Sequence, residues 1–194
     1  NGKNYETSQH GFARDNVFKC VGSSENKGVF KLEATEKTKK VYPFDFVLII
    51  SYEIKDKNIQ VKWEVENTDS ETIPFTIGGH PAFMFKDGDV KTDYVLKFPG
   101  KKQLHYILLD KETGTGLPDK VYQLELENET CPLNDELFEN DALVFDNTQI
   151  EEVWLCYKDG KKRVGMLAKD FPNYGIWSVK GAPFVCLEPW VGRC

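Results

Sequence analysis

The chain contains three histidines, and two of them adjoin glycine in ways that suit a reacting site. His80 closes the stretch FTIGGHPAF, where a β-like run loses its side chains at Gly78 and Gly79 just before an imidazole. His10 opens HGFAR, in which Gly11 gives the backbone freedom and Arg14 supplies a permanent cation. His105, in KKQLHYILLD, lies among lysines beside a strand-like run and reads as a surface residue. A carboxylate joins them in APFVCLEPW, where an extended backbone puts Phe184, Cys186 and Glu188 on one face. In line with Phe and Cys, that carboxyl is partly desolvated, which raises its pKa; a Glu at a sheet edge that reaches water is the competing reading. His80 and Glu188 each precede a proline, Pro81 and Pro189. Proline holds the residue before it extended, so both groups end apolar strands in a defined conformation. An imidazole and a carboxyl facing one cleft can move protons in opposite directions near neutral pH.

Aromatic residues flank these positions: Phe12, Phe83, Phe85, Trp177 and Trp190. Flat apolar rings beside hydrogen-bonding groups suit a sugar, and core packing is the alternative use for them. Gly78 and Gly79 either let a sugar ring approach the backbone beside His80 or form a bulge with no ligand nearby. The five cysteines, Cys20, Cys131, Cys156, Cys186 and Cys194, show no metal-ligand spacing. They read as reduced structural thiols of a cytoplasmic protein, with no metal and no cofactor.

The elements that must position these groups are strands. NIQVKWEVEN places Ile59, Val61, Trp63 and Val65 on one face and charged or polar residues on the other. FDFVLIISYEI precedes it, and KDKN between them predicts a β-hairpin. KGVFKLEAT, DYVLKFP, KVYQLELEN, DALVFD, EVWLCY, VGMLAKD, GIWSVK and APFVCLEP add further short strands. Helical periodicity is scarce, with PLNDELFEN good for a turn or two. Many short strands with Gly, Asn and Asp punctuation predict a large antiparallel sandwich. The 194 residues predict one domain, with 40% hydrophobic and 29% charged residues as in an ordinary globular protein. The net charge of −6 offers no field for nucleic acid or anionic lipid, and the longest apolar run, FVLII, is too short for a membrane span.

HGFAR, IGGHPAF and CLEPWVG, in that order, together resemble the aldose 1-epimerase (galactose mutarotase) superfamily, in particular its LacX-like branch. LNDELFENDALVF and FPNYGIWSVKGAPF add to the likeness, which runs from about His10 to the C-terminus. The resemblance implies an all-β antiparallel supersandwich with a sugar cleft on one face. It also implies a metal-free epimerase that interconverts the α and β anomers of a hexose. By motif, His80 would be the general acid on the ring oxygen and Glu188 the general base on the anomeric hydroxyl. His10 and Arg14 would bind the sugar, and Asp141, in FENDALVF, would match a sugar-binding aspartate. Family members usually carry further segments before HGFAR and after EPWVGR, so residues 1–194 are expected to be a single domain trimmed at both ends. Where the branch commonly has Asn after GGHPAF, Met84 stands here, which leaves the choice of sugar open.

Two alternatives stay beside the mutarotase reading. A hexose-6-phosphate 1-epimerase would want cations at the cleft rim, with Arg14, Lys19, Lys161, Lys162 and Arg163 as candidates. A non-catalytic carbohydrate-binding protein could use the same sandwich. The expected partner in each case is a small sugar, and a homodimer is left open.

Overall fold

The computed structural model describes residues 3–192. Its regular elements are strands and three-residue 3-10 turns. In chain order the strands are β1 (Lys19–Ser23), β2 (Lys27–Glu33), β3 (Phe46–Lys55), β4 (Asn58–Asn67), β5 (Ala82–Met84), β6 (Tyr94–Lys97) and β7 (Gln103–Tyr106). They continue with β8 (Tyr122–Glu125), β9 (Thr130–Pro132), β10 (Leu143–Phe145), β11 (Glu152–Tyr157), β12 (Lys162–Leu167), β13 (Asn173–Trp177) and β14 (Phe184–Trp190). Every pairing between strands is antiparallel. The all-β architecture expected from the alternation is what the chain forms. Its packing resolves two compact units, Asn1–Pro74 and Phe75–Cys194.

The first unit is a four-stranded sheet in the order β1-β2-β3-β4. The period of two in NIQVKWEVEN becomes register: Leu48 faces Val65, Ile50 faces Trp63 and Ile54 faces Ile59 across β3 and β4. The turn at KDKN closes through Asp56 in the left-handed region, φ 55°, a conformation that Asp tolerates better than most residues. Phe46 and Leu48 are buried, and Phe12 stacks on Tyr42 with ring centroids 5.5 Å apart. For Phe12 the structure shows packing.

The second unit is a sandwich. One sheet has the order β10-β13-β14-β5, a second the order β12-β11-β6-β9, and β7-β8 form a ribbon. Leu143, Phe145, Tyr174, Ile176, Val185 and Leu187 of the first sheet meet Leu96, Cys131, Val153 and Leu155 of the second in one buried cluster. Because successive side chains on a strand point to opposite faces, burying Val185 and Leu187 inward turns Cys186 and Glu188 to the other side. The stretch PLNDELFEN contributes a single 3-10 turn at Glu136–Phe138. The buried Lys91 ties that turn down by donating to the carboxylate of Asp135 and, at 2.8 Å, to the carbonyl of Val179. Among the described residues, no helix is long and apolar enough to cross a membrane.

Candidate functional site

The strand β14 carries Glu188, and the segment before β5 carries His80. Their juxtaposition follows from register. Gly78 bridges to Trp190 and Ala82 pairs with Cys186, so His80 stands across from Glu188. The two prolines break the ladder without breaking the pairing. In a hydrogen-bonded antiparallel pair each residue donates and accepts, and a proline can only accept. Here Gly79 N–H donates to the Pro189 carbonyl at 3.0 Å, and Leu187 N–H donates to the Pro81 carbonyl at 3.2 Å. The N–H that Pro189 lacks therefore faces the His80 segment and leaves the pairing of β14 with β13 whole. On that side the ladder with β5 ends at Cys186 and only the bridge at Gly78 follows, so Pro189 sits where β14 is locally an edge, a place proline tolerates.

His80 Nδ1 lies 3.2 Å from Glu188 Oε1, with the two side chains 39% and 5% exposed. The imidazole thus meets solvent and the carboxyl is enclosed. Burial pushes the Glu188 carboxyl up to about 8; a hydrogen bond from the Trp190 side chain opposes the rise, and the negative charge of Asp141 adds to it. At neutral pH the carboxyl holds a proton unless a cation sits beside it, and the imidazole is placed to take that proton. Trp177 stands edge-on to His80, centroids 6.3 Å apart. A cavity of about 350 Å³ is lined by Ala82, Phe83, Met84, Arg163 and Val164.

The expected site residues divide by unit. His80, Glu188 and Asp141 belong to the second, where the first two touch and the charge of the third acts on Glu188. Asp141 is held in the left-handed region, φ 77°, where its Oδ1 accepts the N–H of Ala142 at 2.7 Å. His10 and Arg14 belong to the first unit. His10 also has positive φ, 66°, and it is followed by Gly11 at 72°, so HGFAR is a tight turn. Arg14 sits in the 3-10 turn Ala13–Asp15, its Nε 3.7 Å from Asp15 Oδ1, in an exposed pair of little energetic weight. Of the other cations, Arg163 Nη2 donates to the Met84 carbonyl at 2.9 Å, and Lys162 lies over the Trp154 ring at 3.8 Å. Lys19 starts β1, and Lys161 precedes β12.

Two features escaped the sequence. The first is the use of Gly78. A Cβ there would stand 2.6 Å from the Trp190 ring, and one on Gly175 would stand 2.5 Å from the same ring. The bare backbone at both positions accommodates an indole, and Trp190 accounts for Gly78. The second is the place of Cys186, whose buried thiol lies with His80 and Glu188 in one group of donor atoms. The alternation of β14 showed that Cys186 and Glu188 share a face. No local signal announced Gly175, because its neighbour is chosen by register. The four cysteines of the described residues are free, Cys20 exposed and Cys131, Cys156 and Cys186 buried, while Cys194 lies outside the described residues.

Comparison with known proteins points to one family. The family description Aldose 1-epimerase matches residues 1–180. The chromosomal and plasmid forms of Protein LacX from Lactococcus lactis subsp. lactis are each 31% identical over 189 residues, which is 95% of this chain and 63% of theirs. The X-ray structure of a galactose mutarotase related enzyme from Lactobacillus acidophilus matches with a TM-score of 0.89 at 31% identity, over 99% of this chain and 65% of that one. A galactose mutarotase-like protein from Lactobacillus casei follows at a TM-score of 0.84 and 29% identity, over 99% of this chain and 67% of that one. This chain thus spans a little under two thirds of the length of the curated relatives it matches. By motif, sequence match and fold, the chain belongs to the aldose 1-epimerase family.

Proposed function

We propose that the chain is the working part of an aldose 1-epimerase that interconverts hexose anomers with His80 and Glu188 as its acid and base. The observation that carries this reading is the contact itself: a buried carboxyl 3.2 Å from a solvent-facing imidazole. Burial, with the charge of Asp141 added and the Trp190 hydrogen bond opposing, raises the Glu188 carboxyl to about 8, and transfer of its proton to His80 produces the working state, a carboxylate beside an imidazolium. Glu188 then takes the proton of the anomeric hydroxyl while His80 gives its proton to the ring oxygen. The C1–O5 bond breaks, C1–O1 becomes a carbonyl, and the open-chain aldehyde rotates about C1–C2. Reclosure reverses both transfers: the C5 hydroxyl returns its proton to His80 as its oxygen attacks C1, and O1 recovers a proton from Glu188. No group is consumed, and one proton is left on the pair. Each such positioned acid or base contributes roughly 10²–10⁴-fold.

Supporting roles follow from the family motif. Asp141 belongs in sugar binding, and its charge raises the Glu188 carboxyl. His10 and Arg14 bind sugar oxygens in this reading, on the strength of HGFAR alone.

Polarimetry of freshly dissolved α-galactose, α-glucose and glucose 6-phosphate tests the proposal. The wild-type chain should speed the approach to anomeric equilibrium, and His80→Asn and Glu188→Gln should each lose at least roughly a hundredfold while still binding sugar. Unchanged turnover in both variants would remove these residues from the chemistry. Sugar binding without turnover by the wild type would leave a carbohydrate-binding protein, and turnover of the phosphate ester alone would identify the phosphorylated substrate.

A further inference from the structure

The side chains of His80, Cys186 and Glu188 bring an imidazole nitrogen, a thiol sulfur and a carboxyl oxygen within 4.8 Å of one another. The nitrogen and oxygen are already 3.2 Å apart. Cys186 and Glu188 are fixed by the alternation of β14, and the pairing of Cys186 with Ala82 sets His80 beside them. Tetrahedral zinc, with bonds of about 2.0–2.3 Å, needs donors roughly 3.3–3.8 Å apart. The widest separation in the set, at most 4.8 Å, exceeds that span by roughly 1 Å, a shift that side-chain rotation supplies. One sulfur, one nitrogen and one oxygen suit zinc and exclude magnesium and calcium, which prefer oxygen alone. The Trp190 hydrogen bond to Glu188 supplies the outer contact that orients a ligating carboxylate. Three protein ligands leave a fourth position for water or substrate. The proton chemistry proposed above gives Cys186 no part.

We propose that His80, Cys186 and Glu188 form a site for a thiophilic divalent cation of the zinc type, and that the ion switches the acid–base pair off. The bound metal takes the lone pairs that would exchange protons with the sugar. Binding releases the protons of the Cys186 thiol and of the His80–Glu188 pair to solvent, with no change of oxidation state. The inhibitory half rests on the assignment of His80 and Glu188 as acid and base; the binding half does not.

Cobalt(II) reads the binding half directly, because a thiolate on cobalt gives a near-ultraviolet charge-transfer band. The titration is done on the full chain carrying Cys20→Ala, which removes the exposed thiol among the described residues, and again with Cys186→Ala added. A band that saturates at one ion per chain, is displaced by Zn²⁺ and is lost with Cys186 is the expected result. In parallel, Zn²⁺ should stop mutarotation by the Cys20→Ala chain, and a chelator should restore it. With Cys186→Ala the inhibiting concentration should rise by roughly 10–100-fold, each variant being compared with its own metal-free rate. No band, or a band that survives Cys186→Ala, overturns the site. A band on a chain that turns over at full rate when loaded with metal overturns the switch. A chain with no mutarotase activity at all refutes the proposed function, and the cobalt titration still decides the site.

Discussion

At the scale of the residue, Glu188 is the side chain on which most depends, and it is held against its own solvation. Its folded pKa, about 8, lies above the ordinary 4.5, with burial as the largest cause. The fold therefore prefers the neutral acid. The contribution of that preference is whole below about pH 4.5 and is lost as the pH rises to about 8, at roughly 1.4 kcal/mol per pH unit across the window. Glu188→Gln keeps the shape and removes the ionisation. Urea denaturation at pH 5 and pH 9 should show the variant gaining several kcal/mol on the wild type at the higher pH. An equal difference at both values would mean that His80 holds the carboxylate ionised throughout, or that water reaches it. The identity of Glu188 was legible in CLEPW, since alternation aligned it with Cys186 and the proline fixed its backbone. The contact with His80 was not, because 108 positions separate the two and only strand pairing joins them.

At the scale of the element, the site depends on how β13, β14 and the segment before β5 share one indole. Gly175 lies on β13 against Glu188 in the ladder, and its missing Cβ makes room for the Trp190 ring that bonds to Glu188. A similar device occurs on β12, where a Cβ on Gly165 would stand 2.5 Å from the Trp154 ring. Gly175→Ala and Gly165→Ala should each cost about 1–3 kcal/mol in stability, as overpacked positions do. Gly175→Ala alone should also lower kcat and shift its pH profile, because it moves the ring that steadies Glu188. Equal kinetics in the two variants, measured beside their denaturation curves, would reduce Trp190 to packing. The long strands β3, β4 and β14 were readable from their period of two. Of the short strands, β6, β8 and β10 were legible in DYVLKFP, KVYQLELEN and DALVFD, whereas β1, β5, β7 and β9 were not, since each adjoins glycine, proline or lysine-rich sequence that reads as turn.

At the scale of the whole molecule, the described thiols sort by burial. Cys20 is exposed, while burial raises Cys131 to about 11, raises Cys156 and, with the charge of Glu188, raises Cys186 to about 12. Thiolate is the reactive form, so a disulfide reagent on the native chain should modify Cys20 within minutes and reach the other three only at the rate of unfolding. Rapid labelling of Cys186, read by peptide mass mapping, would show that the site face is more open than its side chains indicate. Alternation, turn residues and three ordered motifs in the sequence determined an all-β antiparallel chain of the aldose 1-epimerase family and nominated His80 and Glu188. These signals are local, since each depends on residues within a few positions of one another. Only the tertiary structure decided that His80 touches Glu188, that Gly78 and Gly175 serve Trp190, and that Cys186 joins the pair. Those contacts depend on register between distant segments, and register is settled by which faces the whole sandwich can bury.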